Sequence, residues 1–183
     1  LKNIIKDKRR VFIAILAMVG IFALMSSVNP TAKTVFSVFV ETERKLPIYC
    51  VETDKKQVAI SFDAAWGADD TDKLLEILKN NNVKTTFFMC GYWVDDYPDE
   101  VKKIVMAGHD LGNHSATHPH MSQLSKEQIE KELTDTQEKV FSLTGYEMDL
   151  FRPPFGEYDN KVIEAAQETG YYTIQWDVDA LDI

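Results

Sequence analysis

Four short segments of this 183-residue chain hold the side chains best suited to chemistry, and each follows a run of strand-like composition. They are Ser61-Phe62-Asp63-Ala64-Ala65-Trp66-Gly67, His114-Ser115-Ala116-Thr117-His118, Arg152-Pro153-Pro154-Phe155-Gly156 and Asp179-Ala180-Leu181-Asp182. Polar residues placed where strands give way to loops are how an α/β barrel builds an active site, with the packed strands as its rigid base. All four histidines, His109, His114, His118 and His120, fall in one stretch, denser than structural filling explains. On one helical turn, a His-x-x-x-His spacing sends both imidazoles to the same side. Two neutral ring nitrogens with an open position for water suit a zinc-type divalent metal, so His114 and His118 are candidate ligands. His109, ahead of a strand, and His120, behind Pro119, read as structural histidines. Arg152 precedes two prolines whose fixed φ makes a stiff segment, and a guanidinium can grip a carboxylate through two parallel hydrogen bonds. Taken alone, Arg-Pro-Pro also describes a rigid surface loop, and the acidic pair Asp179 and Asp182 carries little weight.

These segments need strands and helices to position them, and the pattern alternates between the two. Residues 58–62, 84–89, 110–113, 148–151 and 171–176 read as strands. Between them lie a helix through Leu74, Leu75 and Leu78 that Asp69 or Asp70 can cap, one over 98–107 stopped by Gly108, and one over 160–169 stopped by Gly170. Ser125-Lys126-Glu127-Gln128 matches a capping box, followed by Ile129, Leu133, Val140 and Leu143 near helical spacing until Gly145. Strands alternating with helices imply right-handed βαβ units around a parallel sheet, either an open doubly wound sheet or a barrel.

Composition sets outer limits. A content of 45% hydrophobic and 27% charged residues is that of a globular domain. The net charge is −9 although residues 1–10 are basic, so the remainder is more acidic still, and nucleic acid is not an expected partner. Residues 11–28 form a nearly unbroken apolar run behind Lys8-Arg9-Arg10, long enough to span a bilayer. The basic flank orients it with residues 1–10 as a cytoplasmic tail and everything after Asn29 outside; a cleaved signal is the alternative, though the run is followed by no clean small-x-small site. Residues 29–56 read as a stalk with the lead-in strands, and 57–183 as the domain. Cys50 and Cys90 are too few for a disulfide framework and read as free thiols, with a single bridge allowed.

In order and spacing the four segments resemble the polysaccharide deacetylases of carbohydrate esterase family four, the nodulation-type deacetylase domain, from about Lys56 onward. The Phe-Asp-Ala-Ala-Trp-Gly form is similar to the sporulation-type subgroup. The resemblance implies an α/β fold, an irregular (β/α) barrel, here C-terminally incomplete because a late Leu-x-x-His segment is missing, preceded by one N-terminal transmembrane helix. It implies a metal-dependent hydrolase that removes N-acetyl groups from amino sugars of peptidoglycan or a chitin-like glycan, in sporulation or wall modification, on the extracytoplasmic side of a bacterial membrane. By this match Asp63 is the general base, Arg152 orients it, the Phe155 N–H is an oxyanion donor, Asp182 orients a general-acid histidine, and His114 and His118 bind a divalent metal, zinc in kind. The family pattern asks for a second carboxylate at position 64, where this chain has Ala64. Either Asp69 or Asp70 reaches in, or water fills the place, or the site is weak. An impaired glycan-binding wall protein and an O-acetyl carbohydrate esterase are the rival readings.

Overall fold

The computed structural model describes residues 43–179 together with Met18. The expected membrane span at 11–28 therefore lies, Met18 apart, outside the described residues, as does Asp182. Among the described residues no helix is long and apolar enough to cross a membrane. The chain divides into two compact units, residues 1–43 and 44–183, and the sheet, its helices and the candidate site all belong to the second.

Five strands form one sheet: β1 (Ser61–Ala64), β2 (Thr86–Met89), β3 (Asp110–Asn113), β4 (Leu150–Phe151) and β5 (Tyr172–Thr173). Each pairs in parallel with the next, in the order of the sequence. A doubly wound sheet reverses its strand order at a switch point; a strictly sequential order with right-handed crossovers keeps the helices on one side, as in the wall of a barrel. The helices are α1 (Thr71–Asn80), α2 (Gly91–Asp96), α3 (Pro98–Met106), α4 (Lys126–Thr144) and α5 (Asn160–Glu168). α4 packs against α2, α3 and α5. Ser125 and Gln128 close the expected capping box at its start, and Gly145 ends it at φ 73°, which only glycine adopts without steric cost.

Side-chain alternation divides the strands between two faces. Phe87, Met89, Leu111 and Phe151 are buried in one apolar cluster with Val101, Ile104, Ile129, Leu133 and Val162 from the helices. Asn113 shares that face, donating to the Leu133 carbonyl (2.8 Å) and the Tyr171 hydroxyl (3.0 Å). Phe88 and Gly112 lie side by side on the other face. A Cβ at Gly112 would stand 2.3 Å from Phe88 Cδ1, so the flat seat of Phe88 requires glycine.

Residues 44–50 continue the sheet beyond β5. The Ile48 N–H donates to the Thr173 carbonyl and the Ile48 carbonyl accepts from the Gln175 N–H, both at 2.8 Å. Lys45 ties the same segment to α5 through an ion pair with Glu164 at 3.0 Å.

Candidate active site

Register decides which side chains meet. Ala64, Met89, Asn113, Phe151 and Thr173 form one row across the sheet. His114 and Arg152 each come one residue after that row, and Asp63 precedes it by one. All three therefore project from the face of Phe88, at the carboxyl end of the strands, where the sequence spacing placed the chemistry.

Arg152 is 5% exposed and lies with its guanidinium carbon 4.0 Å above the Phe88 ring. From there Nη1 donates to Asp63 Oδ1 and Nη2 to Ser61 Oγ, each at 2.7 Å. The flat Phe88 seat above Gly112 thus sets the height of the arginine, and the arginine fixes one oxygen of Asp63. The other, Oδ2, lies 3.8 Å from His114 Nε2.

His114 is buried, and its Nδ1 donates to the Arg152 carbonyl at 2.7 Å. A carbonyl can only accept, so the neutral ring carries its proton on Nδ1 and leaves the Nε2 lone pair facing Asp63. Burial lowers the His114 pKa, with Asp63 pulling the other way; His118 is likewise lowered, first by burial. Both shifts favour the neutral ring, the state a metal ligand needs.

The two histidines meet at 5.0 Å between ring centroids, but not on a helical turn as their spacing suggested. The segment is a loop in which Ser115 (φ 67°) and His118 (φ 56°) are left-handed. Four hydrogen bonds to side chains hold it: the Ser115 N–H donates to Asn113 Oδ1, the His118 N–H to Ser115 Oγ, and Glu132 of α4 accepts from both the N–H and the hydroxyl of Thr117. Glu132 had no signal in the sequence, because its partner lies 15 residues away.

Phe155 lies in a short 3₁₀ turn, Pro154–Gly156, at φ 59°, with its ring 4.6 Å from that of His118. Ala64 presents no donor. Asp69 and Asp70 are exposed at the start of α1, where Asp70 occupies the N-cap position without a side-chain hydrogen bond to the helix. Cys50 and Cys90 are both free thiols; Cys90 is buried, and burial pushes its thiol up to about 12. His109 and His120 stand outside the cluster, one packed on Phe87 and the other bonded to Glu157.

As chemistry, two neutral imidazoles beside a carboxylate suit a divalent metal. As a set they are short of a cage: among the described residues no group of three or more His, Cys, Asp and Glu side chains gathers closely enough to hold an ion.

Against this geometry, the family model for polysaccharide deacetylase matches residues 51–174. The chain belongs to the polysaccharide deacetylase family. It is 39% identical to the "Uncharacterized protein YlxY" of Bacillus subtilis, covering 80% of this chain and 46% of that protein. It is 35% identical to the peptidoglycan-N-acetylmuramic acid deacetylase PdaA of Bacillus subtilis, covering 73% and 51%. Among solved structures it resembles a family-four pseudoenzyme of Bacillus anthracis at a TM-score of 0.73 and 38% identity, covering 75% of this chain and 49% of that one. A mutant of that pseudoenzyme is described as having restored enzymatic activity. The chain thus spans about half the length of the curated relatives it matches.

Proposed function

We propose that this polysaccharide deacetylase domain hydrolyses the acetamide of N-acetylated amino sugars in peptidoglycan, releasing acetate. The observation that carries the reading is Asp63, one oxygen held by Arg152 and the other turned toward His114. A carboxylate so oriented can accept a proton from a water attacking the acetamide carbon. The Phe155 N–H would donate to the oxyanion that forms, and Asp182 would orient the acid that protonates the departing amine. His114 and His118 would hold a divalent metal, zinc in kind, which when bound polarises the acetamide carbonyl and lowers the pKa of water. Arg152 keeps Asp63 aimed. Glu132, through Thr117, would hold the loop that carries His118.

The names of PdaA and of the peptidoglycan-N-acetylglucosamine deacetylases of Bacillus cereus support the substrate class. The apolar run at 11–28 with its basic flank supports a single-pass anchor and an extracytoplasmic domain, and the Phe-Asp-Ala-Ala-Trp-Gly form supports a role in sporulation or wall modification. A second reading, an impaired deacetylase that binds glycan, is favoured by Ala64 and by the incomplete donor set. Acetate release from peptidoglycan by the full-length protein, with and without a chelator, separates the two. Release that the chelator stops supports the first reading; release that appears only after Ala64→Asp supports the second. Fractionation should find the intact chain in membranes, with the domain open to external protease.

A further inference from the structure

Four consecutive residues, Cys90 to Trp93, bond to both halves of the candidate site at once. On the Asp63 side the Cys90 N–H donates to the Ala64 carbonyl (3.1 Å), the Tyr92 hydroxyl to the Ala65 carbonyl (3.0 Å) and Trp93 Nε1 to the Gly67 carbonyl (2.7 Å). On the histidine side the Cys90 thiol donates to the His114 carbonyl (3.3 Å), the Gly91 N–H to the Ser115 carbonyl (2.9 Å) and the Tyr92 N–H to the Ala116 carbonyl (3.1 Å). Each segment receives three bonds.

The arrangement has physical causes. The first N–H groups of a helix find no partner within it, and α2 begins at Gly91, so two of its free donors are spent on the histidine loop. Glycine is needed there for space rather than for backbone freedom. Its φ is not left-handed, yet a Cβ would stand 3.0 Å from Ala116 Cα and 3.1 Å from Thr136 Oγ1 of α4. Any side chain would push the loop away from α2. Cys90 and Trp93 are buried in the apolar cluster, and Lys139 of α4 pairs with Asp95 of α2, so the four residues have a fixed seat. A left-handed residue such as Ser115, at φ 67°, persists only where its surroundings over-determine it. The bonds from Cys90, Gly91 and Tyr92 do so.

We propose that Cys90–Trp93 is a positioning bracket that sets the spacing between the Asp63 segment and the histidine loop. Its two sides act on different parts of the chemistry. The Tyr92 hydroxyl holds Ala65, two residues beyond Asp63, and so bears on the proton acceptor. Gly91 packs on Ala116, midway between His114 and His118, and so bears on the metal ligands. The inference rests on the hydrolase reading above for what the spacing serves, and adds residues that act only through Asp63 and the two histidines.

Two variants of the full chain test it, with acetate release from peptidoglycan, titration with Co²⁺ alone and urea unfolding as readouts. Tyr92→Phe removes one hydroxyl and keeps the ring, so kcat should fall about tenfold while KM and Co²⁺ affinity stay within about twofold. Gly91→Ala should weaken Co²⁺ binding about tenfold, although alanine is the better helix former. Unchanged kcat in the first together with unchanged Co²⁺ affinity in the second overturns the bracket alone. So do equal losses of kcat and Co²⁺ affinity in both variants that follow the urea midpoint, since a merely structural role predicts them. If Gly91→Ala does not fold, Tyr92→Phe decides by its split between kcat and Co²⁺ affinity. A parent that binds Co²⁺ but releases no acetate overturns the hydrolase reading, and Gly91→Ala then decides the bracket on Co²⁺ affinity. A parent that does neither overturns both.

Discussion

His109 and His114 flank the same strand, β3, and both are buried with a lowered pKa. At the amino end, His109 Nδ1 accepts from the Thr85 N–H (3.3 Å) and the ring packs edge-on against Phe87 at 5.5 Å. At the carboxyl end, His114 Nδ1 donates to a carbonyl and its Nε2 faces a carboxylate. The tautomers are therefore opposite, and so is what each ring has left to offer. Burial does not separate a structural histidine from a functional one; the direction of the fixed proton does, together with what the free nitrogen meets.

The largest effects should come from breaking the carboxyl-end constellation. Under the proposed mechanism Asp63→Asn would remove the proton acceptor while keeping the shape, and acetate release should fall by about 10²- to 10⁴-fold with metal content largely retained. Release that survives this change rules out Asp63 as base. Gly112→Ala tests the support beneath it: the new methyl drives into Phe88, tilts the seat of Arg152, and should cost about 1–3 kcal/mol in urea titrations as well as activity.

A pair of substitutions then contrasts the two ends of β3. His114→Ala should reduce divalent-metal affinity by at least about 100-fold, more than is usual for residues that only support a ligand. His109→Phe should leave metal binding within about twofold, because only the Thr85 N–H loses its acceptor. Metal analysis after dialysis reads both, and equal losses would erase the distinction between the two ends.

Acid titration sharpens the comparison. His109, His114 and His118 all have folded-state pKa values below their ordinary 6.5. The unfolded chain thus takes up protons before the folded one, and stability is full above about pH 6.5 and falls as pH drops toward the lowered values. Urea midpoints of the metal-free protein at pH 7.5 and 5.5 should show this fall, and His114→Asn should reduce it.

Much of the fold was legible in the sequence because it is local. The capping box at Ser125, the glycine stop at Gly145 and strand β3 over residues 110–113 all depend on neighbours within a few positions. Asp63, His114 and Arg152 could be named because strand ends announce themselves by composition. What was not legible depends on register: that Phe88 lies over Gly112, that Glu132 clamps Thr117, and that two left-handed residues rather than a helical turn bring His118 to His114. Short β4 and β5 were read too long, since their apolar residues also serve the adjoining loops. Helix α2 was missed altogether, because Gly91 and the six-residue length give no periodicity.

The smallest predicted effect concerns the helix caps, and it bears on Ala64. Asp159 accepts from the Val162 N–H at 2.9 Å, so Asp159→Ala should cost about 1 kcal/mol. Asp70 stands at the same position of α1 without such a bond. Asp70→Ala should therefore change stability by only about a few tenths of a kcal/mol, since no cap is lost. That near-silence in urea titrations makes the variant a clean probe of metal. If Asp70 reaches in to replace the carboxylate that Ala64 lacks, metal affinity should fall while the unfolding midpoint stays put. If water fills the place instead, both quantities should stay put, and Ala64→Asp should tighten binding. A stability loss as large as that of Asp159→Ala would show Asp70 to be an ordinary cap after all.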